Sequence, residues 1–499
     1  MRRILLIAAA AAACGGDDGG GQSTRDGAPE GSDGGRPRAD AGGLPGSCTF
    51  GEECPAEAPI CDGDSHECAG CTQDSTCERF DALPWCRDGA CVACAPADME
   101  APDFCPQQVC DGATGACRPC AAGVECLSGA CNEGLCVEES IVLYVEPGGS
   151  TTSDCTPASP CGRVQRAIAV ASGQRRFVHL APGLYRESVL VNASNTADIS
   201  GSLVLLGEAG SIVSPAGGNL AALRMRGPVD VSVVHLTLAG ATGASGHGLD
   251  CLLTSPGQFD SSLFELTDAE VRDNAGAGVV SSGCWGTVRR TTVRGNGGAG
   301  IDFDGQYLLA TGNQIRDNGG IGLRLRGCLD GSLVEQLILI GNQLGGASIN
   351  CPIQIADSWL VRNGASDSAI GGARLDGASS IVLSTIADNR VASGASAAGV
   401  SCPGGAGWVD SSILVGGLGG PPEIAGCSVG HSLFAPGQVV DGPENFAGEP
   451  AFADPPAGDY DLGAASDAID RAYNNSARDV HGDPRDFRPD VGGDEYHER

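Results

Sequence analysis

The stretch Val271-Arg272-Asp273-Asn274-Ala275-Gly276-Ala277-Gly278-Val279 returns as Val293-Arg294-Gly295-Asn296-Gly297-Gly298-Ala299-Gly300-Ile301. It returns again as Ile315-Arg316-Asp317-Asn318-Gly319-Gly320-Ile321-Gly322-Leu323. The Asn continues at Asn342, Asn363 and Asn389, giving steps of 22, 22, 24, 21 and 26 residues. An aliphatic residue stands three places before each: Val271, Val293, Ile315, Leu339, Leu360 and Ile386. Self-similarity at this period is the mark of a solenoid, in which each repeat covers the hydrophobic face of its neighbour.

What lies between the Asn positions decides which solenoid. The LxxLxLxxN pattern of leucine-rich repeats is missing. Gly300-Ile301-Asp302-Phe303-Asp304 and Gly322-Leu323-Arg324-Leu325-Arg326 instead place apolar residues at every second position. Such alternation means strands with one face buried. Glycines after each Asn are expected to supply the positive φ angles of tight corners. Two or three short strands per 22 residues predict a parallel β-helix of about 4.8 Å rise per coil. The six Asn side chains should then stack as a ladder.

Cysteine spacing adds to this. Cys284 and Cys328 lie ten residues after their Asn, Cys351 nine, and Cys251 ten after Ala241, the matching corner one coil earlier. Columns at the coil rise fall within disulfide reach, about 4.4–6.8 Å between Cα atoms. Bridges Cys251–Cys284 and Cys328–Cys351 are predicted, with Cys155–Cys161 closing a local loop and Cys402–Cys427 as the remaining pair.

The chain opens Met1-Arg2-Arg3, then Ile4-Leu5-Leu6-Ile7 and six alanines before Cys14-Gly15-Gly16. A basic start, a short apolar core and small residues describe an export signal, too short to span a membrane. With Cys14 following, it resembles a bacterial lipoprotein signal, which implies residues 1–13 as signal peptide and a lipid on Cys14 as the partner-binding membrane anchor. Of 25 cysteines, 24 remain without Cys14, an even number suited to an oxidising compartment. The implied location is the outer membrane or surface of a Gram-negative bacterium. Residues 14–47 have almost nothing to bury and read as a tether.

Residues 48–137 hold sixteen cysteines. Cys68-x2-Cys71-x5-Cys77 returns as Cys117-x2-Cys120-x5-Cys126. Paired CxxC can bind zinc, but a lone His66 and an oxidising compartment favour disulfides. The block resembles Cys-rich modules ahead of passenger domains in bacterial surface lipoproteins, which implies a stalk or contact module without chemistry.

Ile141 to Val145, the segment Val164 to Ala171, and Phe177-Val178-His179-Leu180-Ala181-Pro182-Gly183-Leu184-Tyr185 read as strand, short helix and strand. This resembles the N-terminal cap of the pectin-lyase-like superfamily, implying an all-β, right-handed parallel β-helix over 138–442. The superfamily hosts lyases, hydrolases, esterases and non-catalytic adhesins. Residues 443–499, with Asp459-Tyr460-Asp461-Leu462, Ser466-Asp467-Ala468-Ile469-Asp470 and Pro489-Asp490-Val491-Gly492-Gly493-Asp494-Glu495, are similar to the terminal segment of choice-of-anchor Q proteins. Two readings stand for its acidic residues. They close the open end of the helix as a cap, or Asp470, Asp479, Asp490 and Glu495 hold calcium.

Gly246-His247-Gly248 resembles the Gly-His-Gly of polygalacturonases, but their Asn-Thr-Asp and paired-Asp motifs are missing upstream. Glycoside hydrolysis needs a carboxylate pair, so His247 reads as structural. Asp302 with Arg324, and Asp304 with Arg326, should form cross-coil ion pairs. Arg272, Arg294 and Arg316 should line up as like charges that invite Asp273 and Asp317 or a bound anion, such as a sugar-acid polymer. The net charge of −32, from 62 acidic and 30 basic residues, disfavours nucleic acid. The expected role is a non-catalytic surface rod binding a polysaccharide, matrix or surface protein. The alternative is a polysaccharide lyase or glycoside hydrolase, with His247, Asp302, Asp304, Arg324 and Arg326 as its residues. No cofactor is called for beyond the calcium reading.

Overall fold

The computed structural model describes residues 48 and 54–497, except 63, 81–82, 84, 95–104, 106, 254–261, 330 and 439. The lipidation expected at Cys14 and the tether lie outside the described residues.

From Val142 onward the chain winds as a parallel β-solenoid of three sheets with 12, 12 and 10 strands. Each inner coil contributes one strand to each sheet, and these strands pair in parallel with those one coil away. In a repeat coil these strands are Trp285–Arg289 in the first sheet, Thr292–Arg294 in the second and Ile301–Asp304 in the third. Alternate residues point inward: Ile301 and Phe303 are fully buried beside Leu323 and Leu325 of the next coil. Helix α1 (Val164–Val170) covers the N-terminal end, burying Val164, Ala167 and Ile168. Its free N–H groups at Val164 and Gln165 donate to the Glu187 carboxylate.

The corner between the second and third sheets carries the Asn ladder. Asn318 Nδ2 donates to Asn342 Oδ1 at 2.9 Å and to the Val293 carbonyl at 3.1 Å. Its own Oδ1 accepts from the backbone and side chain of Asn296. The pattern runs unbroken from Asn274 to Asn389, so the six buried amides find the partners that buried polar groups need. A positive φ falls one residue before each Asn, at Asp273, Gly295, Asp317, Gly341, Arg362 and Asp388, and of the glycines just after the Asn positions Gly345 and Gly364 share it. The glycines after each Asn are needed for close approach. A Cβ on Gly300 would stand 2.4 Å from Ile315 Cγ2 and 2.6 Å from the Gly322 carbonyl oxygen.

A second ladder, unanticipated from the sequence, occupies the corner between the first and second sheets. Ser358, Ser384, Ser412 and Ser432 pass hydrogen bonds from backbone N–H to the next Oγ. The last step ends on Asn445 Oδ1.

All sixteen cysteines from Cys48 to Cys136 are in disulfides, grouped as four consecutive units. Each unit joins its first cysteine to its third and its second to its fourth, starting at Cys48, Cys71, Cys94 and Cys120. The fourth unit packs on the outer face of the first sheet, where Ala130 and Val137 join Val142, Phe177, Val204, Leu206 and Val234.

The four solenoid cystines are Cys155–Cys161, Cys251–Cys284, Cys328–Cys351 and Cys402–Cys427. The expected column at Cys251 does not exist, however. Cys251 stands opposite Ser281, because Ala241 to Leu249 is three residues longer than Asn274 to Val279. That bridge is therefore diagonal, with Cα atoms 6.3 Å apart.

Residues 443–447 add the last strand of the second sheet, Phe446–Ala447, at the C-terminal end of the solenoid. The rest of the C-terminal segment runs back along the outer face of that sheet as a strap, burying Tyr460, Leu462, Ala468, Val480 and Val491 against Trp359, Val361, Ala387, Ile413, Val415 and Leu433. Contacts extend from Gln336, whose side chain donates to the Asp479 carbonyl, to Ser411, whose carbonyl accepts from Gly492. The physical reason is that Trp359-Leu360-Val361 and Ile413-Leu414-Val415 are apolar on both faces, so one face needs an external cover.

Asn318→Ala removes the partners of four buried groups and is expected to cost about 2–4 kcal/mol, read as a lowered urea midpoint. Gly300→Ala should destabilise by about 1–3 kcal/mol or more through overpacking, by the same measurement.

Candidate functional site

The outward side chains of the third sheet form the long polar face to which neither the Cys-rich units nor the strap contributes apolar packing. Asp304, Arg326, Asn350 and Arg374 are exposed there. Asp302 lies opposite Arg324, and Asp304 opposite Arg326. Asp302, however, takes both cations, with Arg324 at 3.2 Å and Arg326 at 2.8 Å. Asp304 stands 3.6 Å from Arg326. Arg226 pairs with Asp250 and Arg374 with Asp376 on the same face.

Arg272, Arg294 and Arg316 are aligned on adjacent coils of the second sheet. They do not wait for an anion. Glu270 sits between Arg272 at 2.9 Å and Arg294 at 2.8 Å, Asp273 takes Arg272, and Asp317 takes Arg316. Glu270, which no spacing in the sequence marks out, occupies the alternate outward position two residues before Arg272.

His247 accepts a hydrogen bond at Nδ1 from the Ala277 backbone at 3.0 Å, and burial pulls its pKa down. It braces the long 242–248 loop against the next coil.

The four calcium candidates do not converge. Asp490 accepts from the N–H groups of Asp470 and Tyr496, Asp479 from those of His481, Asp483 and Glu495. Glu495 is held by Arg485 at 3.1 Å and by the Asp490 backbone. These carboxylates organise turns. Arg485, with no exposed side-chain surface, also pairs with Asp357 of the solenoid at 3.1 Å, and so fastens strap to coil.

A group that spacing did not reveal comes together beside them. Asp461, His481 and Asp494 bring ligand atoms within 4.8 Å of one another. His481 Nε2 lies 2.8 Å from Asp461 Oδ1, which holds its pKa up. Burial pushes Asp494 up to about 7. The three come from a strand, a turn and the tail, so no sequence spacing links them.

A cleft of about 410 Å³ lies between the fourth Cys-rich unit and the first sheet, lined by Glu133, Ser232, His235, Glu265, Asp268, Arg289 and Arg290 among others. Asp268 is engaged by Arg290 at 2.8 and 2.7 Å. Burial, and then the neighbouring Glu133, raise the Glu265 pKa.

No family model and no curated protein matches this sequence. Among solved structures it is similar to pectate lyase Pel9A, at 14% identity and TM-score 0.42 over 71% of this chain and 96% of that one. It is also similar to XylC in complex with xylose, at 9% identity and TM-score 0.46 over 72% and 99%. A third is the Azotobacter vinelandii mannuronan C-5 epimerase AlgE4 A-module, at 17% identity and TM-score 0.33 over 61% and 99%. At such identities and scores the likeness carries nothing about chemistry.

Arg485→Met leaves Asp357 and Glu495 buried without their cation and is expected to cost about 3–5 kcal/mol. Proteolysis of residues 448–497 ahead of the solenoid would report it. Glu265 titrates at higher pH folded than unfolded. Its contribution is therefore full below about pH 4 and is lost as pH rises through the folded value. Glu265→Gln should accordingly raise Tm at pH 7 relative to the parent, with the gap closing toward pH 4 in calorimetry.

Proposed function

We infer that this chain is an exported, lipid-anchored envelope protein whose β-helix binds a polar surface polymer, a glycan or matrix polysaccharide, along the third sheet without turning it over. The supporting observation is the charge arrangement of that sheet. Asp302 between Arg324 and Arg326, Arg226 with Asp250, and Arg374 with Asp376 are cross-compensated. Carboxylates held by arginine lack the free acid and base that glycoside cleavage requires. They remain good hydrogen-bonding groups for hydroxyls, fixed on a rigid sheet at the coil repeat. The four disulfide-closed units between the lipid on Cys14 and the solenoid would serve as a stalk that holds this face away from the membrane.

One observation favours the second reading, a polysaccharide lyase or hydrolase. Glu265 is a carboxyl of raised pKa in a cleft that also holds Arg289, the kind of group that general acid catalysis uses.

A panel of neutral and uronic polysaccharides separates the two, with new unsaturated ends, reducing ends and retention recorded on the full chain. Retention without turnover, weakened about tenfold or more by the double substitution Arg324→Ala/Arg326→Ala, supports the binder. Turnover abolished by Glu265→Gln would replace it with the enzyme.

A further inference from the structure

The strap holds a group with the makings of a metal centre, separate from the polymer-binding face and from the calcium candidates. Asp461 lies on the strand Asp459–Leu462, His481 in the turn after Asp479, and Asp494 in the tail. The burial of the three is graded. Asp494 is 6% exposed, Asp461 is intermediate and His481 opens to solvent. An ion could therefore enter from the His481 side and be held from beneath by Asp494.

Asp461, Asp479 and His481 all lie near enough to Asp494 to act on its charge, the two carboxylates in one direction and the imidazole in the other. Asp494 Oδ2 accepts from the Leu462 N–H at 2.7 Å, an orientation imposed from outside the cluster. Asp479 accepts from the N–H groups of His481, Asp483 and Glu495. Supporting carboxylates and backbone donors of this kind orient metal ligands.

An independent feature is the indole of Trp359. It is 4% exposed, and its Nε1 has no hydrogen-bond partner. The ring stands edge-on to His481 with centroids 5.0 Å apart. Nε1 borders Gly493, where a Cβ would come within 3.1 Å of it. A buried N–H donor left without an acceptor costs about 1–3 kcal/mol. A water or anion completing the coordination of an ion at this cluster would give it one.

The geometry points to a divalent transition-metal site of the zinc class, formed by His481 Nε2 and the Asp461 and Asp494 carboxylates. Imidazole with carboxylates suits zinc and its first-row neighbours, whereas calcium takes oxygen ligands alone. Binding replaces the His481–Asp461 hydrogen bond. The imidazolium form gives up its Nε2 proton to solvent, keeps the proton on Nδ1, and presents the Nε2 lone pair to the ion as neutral imidazole. The ion then links strand, turn and tail, and pins the strap over Trp359 on the second sheet. The role is structural.

The test uses the full chain, stripped with chelator and titrated with Co²⁺. The expected result is a single equivalent giving a visible ligand-field band that Zn²⁺ displaces. His481→Ala and Asp494→Asn should each weaken binding by about tenfold or more, and Zn²⁺ should slow hydrogen exchange across 459–495 in the parent. Should His481→Ala loosen the strap by itself, Asp461→Asn keeps the side-chain size and must still weaken the band. Absence of a band in the parent overturns the proposal. So does a band that survives all three substitutions, since the ion then lies elsewhere on this acidic chain. Polymer retention by the third sheet is unaffected by these variants, so failure here leaves the binding reading standing.

Discussion

Every part of this molecule depends on coils stacking at one fixed rise with their polar groups paired across the gap. The backbone ladders do most of this, and the two side-chain ladders complete it where corners interrupt the sheets. At the Asn corner each amide gives to the coil after it and to a carbonyl of the coil before it. A buried amide is costly alone, so the ladder is stable only as a row. That condition also fixes the glycines. The chain beside Asn318 passes so near the neighbouring coil that a Cβ at Gly300 or Gly322 has no room.

A solenoid so built has outer faces as well as a core, and their treatment organises the rest of the protein. The first sheet is covered at its N-terminal end by the last Cys-rich unit. The second sheet is covered in its C-terminal half by the strap. Where the outer face is apolar, as at Trp359 and Ile413, burial under the strap removes it from water. Where it is charged, as at Asp302 and Arg324, it stays open. The strap is in turn held by polar anchors along its length, among them Tyr460 to Asp388, Ser476 to Asp357 and the fully buried Arg485.

The fold was legible in residues 271–389 because an Asn and an aliphatic residue at fixed offset leave few alternatives. Disulfide partners were legible too, since coils bring distant cysteines close. Their register was less so, because the extra residues of the 242–248 loop shift Cys251 relative to Cys284. The serine ladder left only a faint signal, single Ser residues ahead of apolar triplets. The four-unit organisation of the Cys-rich region was visible in part, through its CxxC steps.

The sequence by itself determined the coil, its period and its corners, because those follow from local periodicity and from groups that repeat along the chain. Tertiary structure alone decided which charges meet. Asp302 drew both Arg324 and Arg326, and Glu270 bridged Arg272 and Arg294, through side-chain reach across coils that offsets in number do not encode. It also laid the acidic tail beyond Ala447 along a flank of the solenoid as a strap, and gathered Asp461, His481 and Asp494 from three unrelated segments. Such convergence arises when the tail folds back onto an apolar face, which no spacing within the tail can announce.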